Sequence, residues 1–137
     1  QVGNDFPHLR YADITLMYAE ALAETDLPTA LTWLNKTRIR AGLDELTSDD
    51  VKTKAEFIRE LAAERGREFA LEGHRWFDLC RWGIAYEVMD KDNGSYGKNE
   101  SAEARAEMAS FVKGKHELFP IPAEEINLNP MEQNNGY

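Results

Sequence analysis

The sequence predicts an all-α protein, and three observations carry that reading. Apolar residues recur every three or four positions over several stretches, which is the spacing of one helix face. No stretch shows a convincing two-residue alternation of the kind that marks a strand. Breakers fall between the periodic stretches, as at Pro28 and Gly42. The expected architecture is a tetratricopeptide-like helix hairpin, further helices, and a long irregular C-terminal tail.

Residues 9–24, LRYADITLMYAEALAE, form the first expected helix. Its polar positions Arg10, Asp13, Glu20 and Glu24 lie near one stripe that Met17 interrupts, so the helix should be enclosed on most sides. If the chain belongs to a larger fold, part of that apolar surface should stay uncovered. Asp26-Leu27-Pro28 breaks the helix, and Pro28 suits the first turn of a second one. That helix carries Ala30, Leu34, Thr37 and Ala41 with Trp33 beside them, and stops at Gly42. The hairpin resembles one tetratricopeptide unit, with no second copy at a period of about 34 residues.

Ser48-Asp49-Asp50 is a capping cluster, with Asp50 as the cap of a helix over residues 51–72. Phe57, Ile58, Leu61, Ala62 and Phe69 recur along it, and Gly66 and Gly73 are mild interruptions. One further helix is expected over 75–89, a loop over 91–100, and a short helix over 101–112. The tail FPIPAEEINLNPMEQNNGY holds three prolines and should be mostly irregular, pinned to a surface.

Composition removes several function classes. The 137 residues are one domain's worth, and 42% apolar with 30% charged residues fits a globular chain rather than a disordered one. A net charge of −9 argues against nucleic acid as a partner, since that needs a basic surface. No apolar run approaches the roughly 20 residues that span a bilayer. Cys80 is the single cysteine, so neither a disulfide framework nor a cysteine metal site is available. The chain opens on QVGNDFPHLR without an initiator Met and reads as cut, so a missing targeting signal is no pointer to the cytoplasm.

The stretch EGHRWFDLCRWG, residues 72–83, concentrates reactive side chains. Glu60, Glu64, Glu68 and Glu72 stand four apart on one expected helix face. A glycoside hydrolase needs two carboxylates, but Arg59, Arg65, Arg67 and Arg75 are interleaved and would hold these acids ionised. Arg65 occupies the apolar stripe, so its guanidinium should point inward and require a partner among Glu68, Glu72, Asp13 and Asp78. The expected structural ion-pair clamp is Asp13, Arg65, Glu68, Glu72, Arg75, Asp78 and Arg81. No catalytic residue is assigned.

His74 reads as hydrogen-bonded and structural, and Cys80 as a buried inert thiol. No HExxH or similar spacing exists, so no metal is expected. Counting from Asp90, a calcium loop would need Glu at its twelfth position, where Ser101 stands. No cofactor is implied. Exposed aromatics are the usual platform for sugar rings. Tyr96 in the Gly-rich loop and Trp76 are the weak candidates, Tyr86 and Tyr137 are less clear, and Trp33 and Trp82 read as core.

LRYADITLMYAEALAE, LNKTRIRAGL, AERGREFALEGHRWFDLCRWG and FPIPAEEINLNPMEQNNGY together resemble, in order, the C-terminal part of SusD/RagB-type proteins. Asn135 stands where that family commonly has Pro. The resemblance implies that residues 1–137 are a C-terminal helical region of a larger nutrient-binding outer-membrane lipoprotein of Bacteroidetes. It implies glycan binding without enzymatic activity at the cell surface, with an oligosaccharide or polysaccharide ligand. The implied partner is a SusC-like TonB-dependent transporter. The family's lipid anchor is an N-terminal Cys, which mid-helix Cys80 is not.

The family's glycan site is built mostly from preceding segments, so no binding residue carries over. Arg10, Tyr11, Asp13, Glu20, Arg38, Glu64, Arg65, Glu68, Arg75, Asp78, Leu79, Arg81 and Trp82 match motif positions and read as architecture. Two other classes compete with this reading. One is a helix-hairpin protein–protein interaction module without glycan binding. The other is a hydrolase using Glu64/Glu68 or His74.

Overall fold

Asp26 starts the second arm of the hairpin: its carboxylate accepts from the Thr29 backbone N–H at 3.1 Å and from the Thr29 hydroxyl at 2.6 Å. In the computed structural model, which describes residues 8–92, 94–107 and 110–137, helix α1 (Tyr11–Leu22) leads into helix α2 (Leu27–Arg40) through this cap. Gly42 ends α2 as expected, at φ 75°, where a side chain would be strained. The N–H groups of Gly42 and Leu43 donate back to the Ile39 and Arg38 carbonyls, closing the helix end.

Helix α3 (Lys54–Glu68) is shorter than the expected 51–72 span. Its cap is Thr53 rather than Asp50, in a reciprocal capping box with Glu56. Asp50 instead accepts from the backbone and hydroxyl of Thr47, stabilising the turn ahead of the helix. The helix stops at Glu68 because the chain then turns through left-handed backbone at Leu71 (φ 67°) and Gly73 (φ 81°).

Helices α1, α2 and α3 pack on one another in the first of two compact units, Gln1–Arg75. Leu16, Ala19, Ala30, Leu34, Phe57 and Leu61 form its fully buried centre. The buried amide of Asn35 donates to the Leu46 carbonyl and accepts from its N–H, which ties the 43–50 connection to α2.

The expected enclosure of helix 9–24 is corrected here. Asp13, Thr15, Leu16 and Ala19 are buried, but Tyr11, Ile14, Met17 and Tyr18 are exposed. Within the described residues, α2 and α3 cover α1 from one side, and Asp13 sits on the covered side because its carboxylate is paired there.

The second unit, Trp76–Tyr137, is built of short elements. The single helix expected over 75–89 is two: α4 (Arg75–Arg81) and α5 (Ala85–Met89). Gly83 at φ 69° separates them, with Gly83 and Ile84 donating to the Cys80 and Leu79 carbonyls in the same kind of helix end as at Gly42. The 91–100 segment is not wholly loop, since one helical turn, α6 (Ser95–Lys98), forms there. Gly94 makes that turn possible, because a Cβ would fall 2.4 Å from the Val88 carbonyl oxygen and 2.5 Å from that of Asp90. Helix α7 (Ala102–Glu107) occupies the first half of the span expected at 101–112, of which residues 108 and 109 lie outside the described residues.

The tail is more ordered than its composition suggests. Helix α8 (Ala123–Leu128) follows Pro122, with Glu124 and Glu125 in its first turn. The Gln133 side chain brackets Ile121, accepting from its N–H at 2.8 Å and donating to its carbonyl at 2.9 Å. Asn134 donates to the Phe119 carbonyl and the Tyr137 hydroxyl to that of Leu118. The tail is thus pinned to its own beginning. Among the described residues there are eight helices and no strand, so the all-α expectation holds.

Candidate functional site

Charges concentrate where α1 meets α3, and helical phasing explains why. Arg65 falls on the apolar stripe of α3 with Leu61 and Ala62, so its side chain enters the interior and is 4% exposed. There its guanidinium donates to Asp13 on α1 at 2.7 Å. It also lies 4.9 Å from the centre of the buried Phe69 ring, a cation–π contact.

Arg10, just ahead of α1, forms a second node. It donates to both carboxylate oxygens of Glu72, at 2.8 and 2.7 Å, and to Glu68 at 2.9 Å. A fourth bond reaches the Glu68 carbonyl, and its guanidinium too stands 4.9 Å from the Phe69 ring centre. The bidentate geometry is the strong form of an Arg–carboxylate pair. It raises the Arg10 pKa above the ordinary guanidinium value, chiefly through the bond to Glu72, and holds the Glu72 carboxyl below the usual carboxylate range. Arg40 of α2 pairs with the second oxygen of Glu68, so three elements converge on that carboxylate.

Glu64 forms the third node. Its side chain is 2% exposed, with Arg67 at 2.7 Å and Arg38 at 3.4 Å. Arg38 also donates to the Asp44 carbonyl, linking this acid to the turn after α2.

The residues of the clamp expected from sequence fall in both units. Asp13 with Arg65, and Glu68 with Glu72, lie in the first unit, but Glu68 and Glu72 pair with Arg10 rather than with Arg65. Arg75 bonds the Ala62 carbonyl at 2.8 Å, not a carboxylate, and packs where a Cβ on Gly66 would stand 3.1 Å away. Asp78 and Arg81 pair with each other in the second unit, at 2.9 Å. Arg10, Arg38 and Arg40 joined the network without being included in the expected clamp. Their long side chains reach across between elements, and a one-dimensional pattern shows such reach only as charge on a helix flank.

The remaining candidates have local structural surroundings. His74 rests against Phe69, ring centres 5.1 Å apart. Cys80 contacts the Glu117 carbonyl at 3.8 Å, and burial pushes its thiol pKa up, away from a reactive thiolate. Trp76 is half-buried beside Phe111, which also meets Tyr86 and His116, so it belongs to an aromatic cluster rather than an open platform. Tyr96 is 47% exposed on α6. Trp33 and Trp82 are half-buried rather than core, with the Lys36 ammonium over one and the Arg81 guanidinium over the other.

No buried side-chain nitrogen or oxygen among the described residues lacks a hydrogen-bond partner. A general acid needs a carboxyl whose pKa is raised, and the pairing at Glu72 works in the opposite sense. Among the described residues no three of His, Cys, Asp and Glu come together as a metal group. No helix there is long and apolar enough to cross a membrane.

These features define an all-helical protein with a tetratricopeptide-like hairpin whose interior charges are committed to one another. The chain belongs to the SusD family, whose model matches residues 1–137. It is 32% identical over 136 residues to a SusD-like protein of Formosa agariphila, covering 93% of this chain and 24% of that protein. It is 33% identical over 134 residues to the starch-binding protein SusD of Bacteroides thetaiotaomicron, covering 97% of this chain and 22% of that protein. The chain thus spans about a quarter of the length of these relatives.

Proposed function

We propose that this chain is the helical frame of a cell-surface carbohydrate-binding protein that captures an oligosaccharide or polysaccharide for uptake. The family match over residues 1–137, with a starch-binding relative among its members, carries the reading. The consumption of Arg10, Asp13, Glu64, Arg65, Glu68 and Glu72 in mutual pairing supports a framework role for this part. Sugar capture would rest on aromatic stacking and hydrogen bonds from other segments, without covalent chemistry. In the full-length protein the anchor is a lipid at the outer membrane, and the partner is a SusC-like TonB-dependent transporter.

The test is retention of the full-length protein on immobilised plant, host and bacterial polysaccharides. Retention of one glycan class without hydrolysis supports the reading, and Glu68→Gln should lower the melting temperature while leaving no turnover to lose. Absence of retention across the panel, or turnover abolished by Glu68→Gln, overturns it. The uncovered apolar side of α1 favours a second reading, a protein–protein interaction module without glycan binding. Pull-down of a partner by a protein that retains no glycan would select it.

A further inference from the structure

The sequence holds two Asn-Gly dipeptides, Asn93-Gly94 and Asn135-Gly136, and the structure sets their glycines in opposite situations. Asparagine is a thermolabile residue. It is most so before glycine, which has no Cβ to keep its backbone nitrogen away from the preceding side-chain carbonyl. Whether that nitrogen is available depends on what its N–H already binds.

At Gly94 the nitrogen is committed. Its N–H donates to the Asp90 carbonyl at 2.8 Å, and its carbonyl accepts from the Lys98 N–H at the end of α6. The Val88 and Asp90 carbonyl oxygens would stand 2.4 and 2.5 Å from a Cβ there, so the surrounding backbone leaves the peptide no room to rotate. At Gly136 the nitrogen is available. The residue is exposed at φ 87°, in a turn closed by the Tyr137 N–H on the Asn134 carbonyl, and its own N–H has no partner among the described residues. The Asn135 side chain is likewise exposed, and its amide makes no hydrogen bond among the described residues. The atoms beside Gly136 belong to the flexible Lys115 side chain rather than to backbone.

We propose that Asn135 is a site of spontaneous deamidation in the folded protein, and that Asn93 is not. The Gly136 nitrogen gives its proton to solvent and attacks the Asn135 side-chain carbonyl carbon. The new C–N bond closes a five-membered succinimide as the bond to the side-chain nitrogen breaks, and that nitrogen takes up a proton and leaves as ammonia. Water then opens the ring at either carbonyl, leaving aspartate or isoaspartate at position 135. Either product sets a carboxylate near Lys115, whose ammonium lies 4.6 Å from the Tyr137 ring centre. Isoaspartate also lengthens the backbone inside the turn that carries Tyr137, whose hydroxyl donates to the Leu118 carbonyl. The inference stands on the geometry of the tail and does not depend on glycan binding.

The test ages the purified full-length protein at mildly alkaline pH and maps its peptides by mass spectrometry, with isoaspartyl methyltransferase labelling to report isoaspartate. The peptide holding Asn135 should exchange NH for O more than about tenfold faster than the peptide holding Asn93, because the latter must first open locally. In urea the two rates should converge. Asn135→Gln should remove the isoaspartate signal from the tail, since its longer side chain closes a ring far more slowly. A rate at Asn135 no faster than at Asn93 in the folded protein overturns the proposal. A tail modified only in urea also overturns it, as does a difference that persists in urea, where sequence rather than fold would set it.

Discussion

Arg65 and Asp13 are 52 residues apart in sequence and 2.7 Å apart in space, both almost fully withdrawn from solvent. At that depth water does not replace a lost charged hydrogen bond. Asp13→Ala should therefore destabilise the protein by about 1.5–3 kcal/mol in urea unfolding. In a double-mutant cycle, Asp13→Ala and Arg65→Met should be non-additive, with a coupling of about 0.5–3 kcal/mol. A double variant as unstable as the sum of the singles would show that the pair is not the unit.

Acid should weaken the first unit in a definite direction. The Arg10 bond holds the Glu72 pKa down, and bonds to Thr47 and Thr29 do the same for Asp50 and Asp26. A carboxyl depressed in the folded state stabilises above its unfolded pKa, about 4.3 for Glu, and that contribution is lost as pH falls through the folded value. The melting temperature should be flat from about pH 7 to pH 5 and fall below about pH 4. Glu72→Gln should make the acid limb shallower.

Two turn positions should respond oppositely. Leu71 is fully exposed yet holds φ 67°, so its side chain contributes strain without packing. Leu71→Gly should relieve about 1–2 kcal/mol of strain and lose about 0.5–1 kcal/mol through unfolded-state entropy, a small net gain. Gly94→Ala should cost about 1–3 kcal/mol, because the new Cβ meets backbone carbonyls that cannot swing aside. Thermal unfolding of both variants checks the signs.

The tail should depend on one amide. Gln133→Ala removes both bonds to Ile121, at about 0.5–1.5 kcal/mol each. Amide exchange at Ile121 should accelerate, while exchange in α2 stays unchanged. Equal acceleration in both places would mean that the loss is global.

Legibility in the sequence followed the range of the interactions. The Asp26-Leu27-Pro28 break and Gly42 bound α2 through local features, and both were readable, though the capping role of Asp26 was not. The Thr53–Glu56 box is equally local, yet the denser acidic run at 48–50 drew the cap to Asp50. Gly83 does not mark a helix end in the sequence because the apolar period continues across it. In the charged region, the inward turn of Arg65 was visible from its place on an apolar stripe. Its pairing with Asp13 was not, since Glu68, Glu72 and Asp78 offer the same chemistry.

By itself, then, the sequence determined the all-helical class, the hairpin, the need for buried Arg65 to be paired, and the family. These depend on periodicity, capping and motif order, which are written along the chain. The tertiary structure alone decided that Arg10 takes Glu68 and Glu72 and that Arg65 takes Asp13, that Gln133 closes the tail, and which side of α1 stays bare. Those outcomes depend on distances between segments far apart in sequence, and no local pattern encodes them.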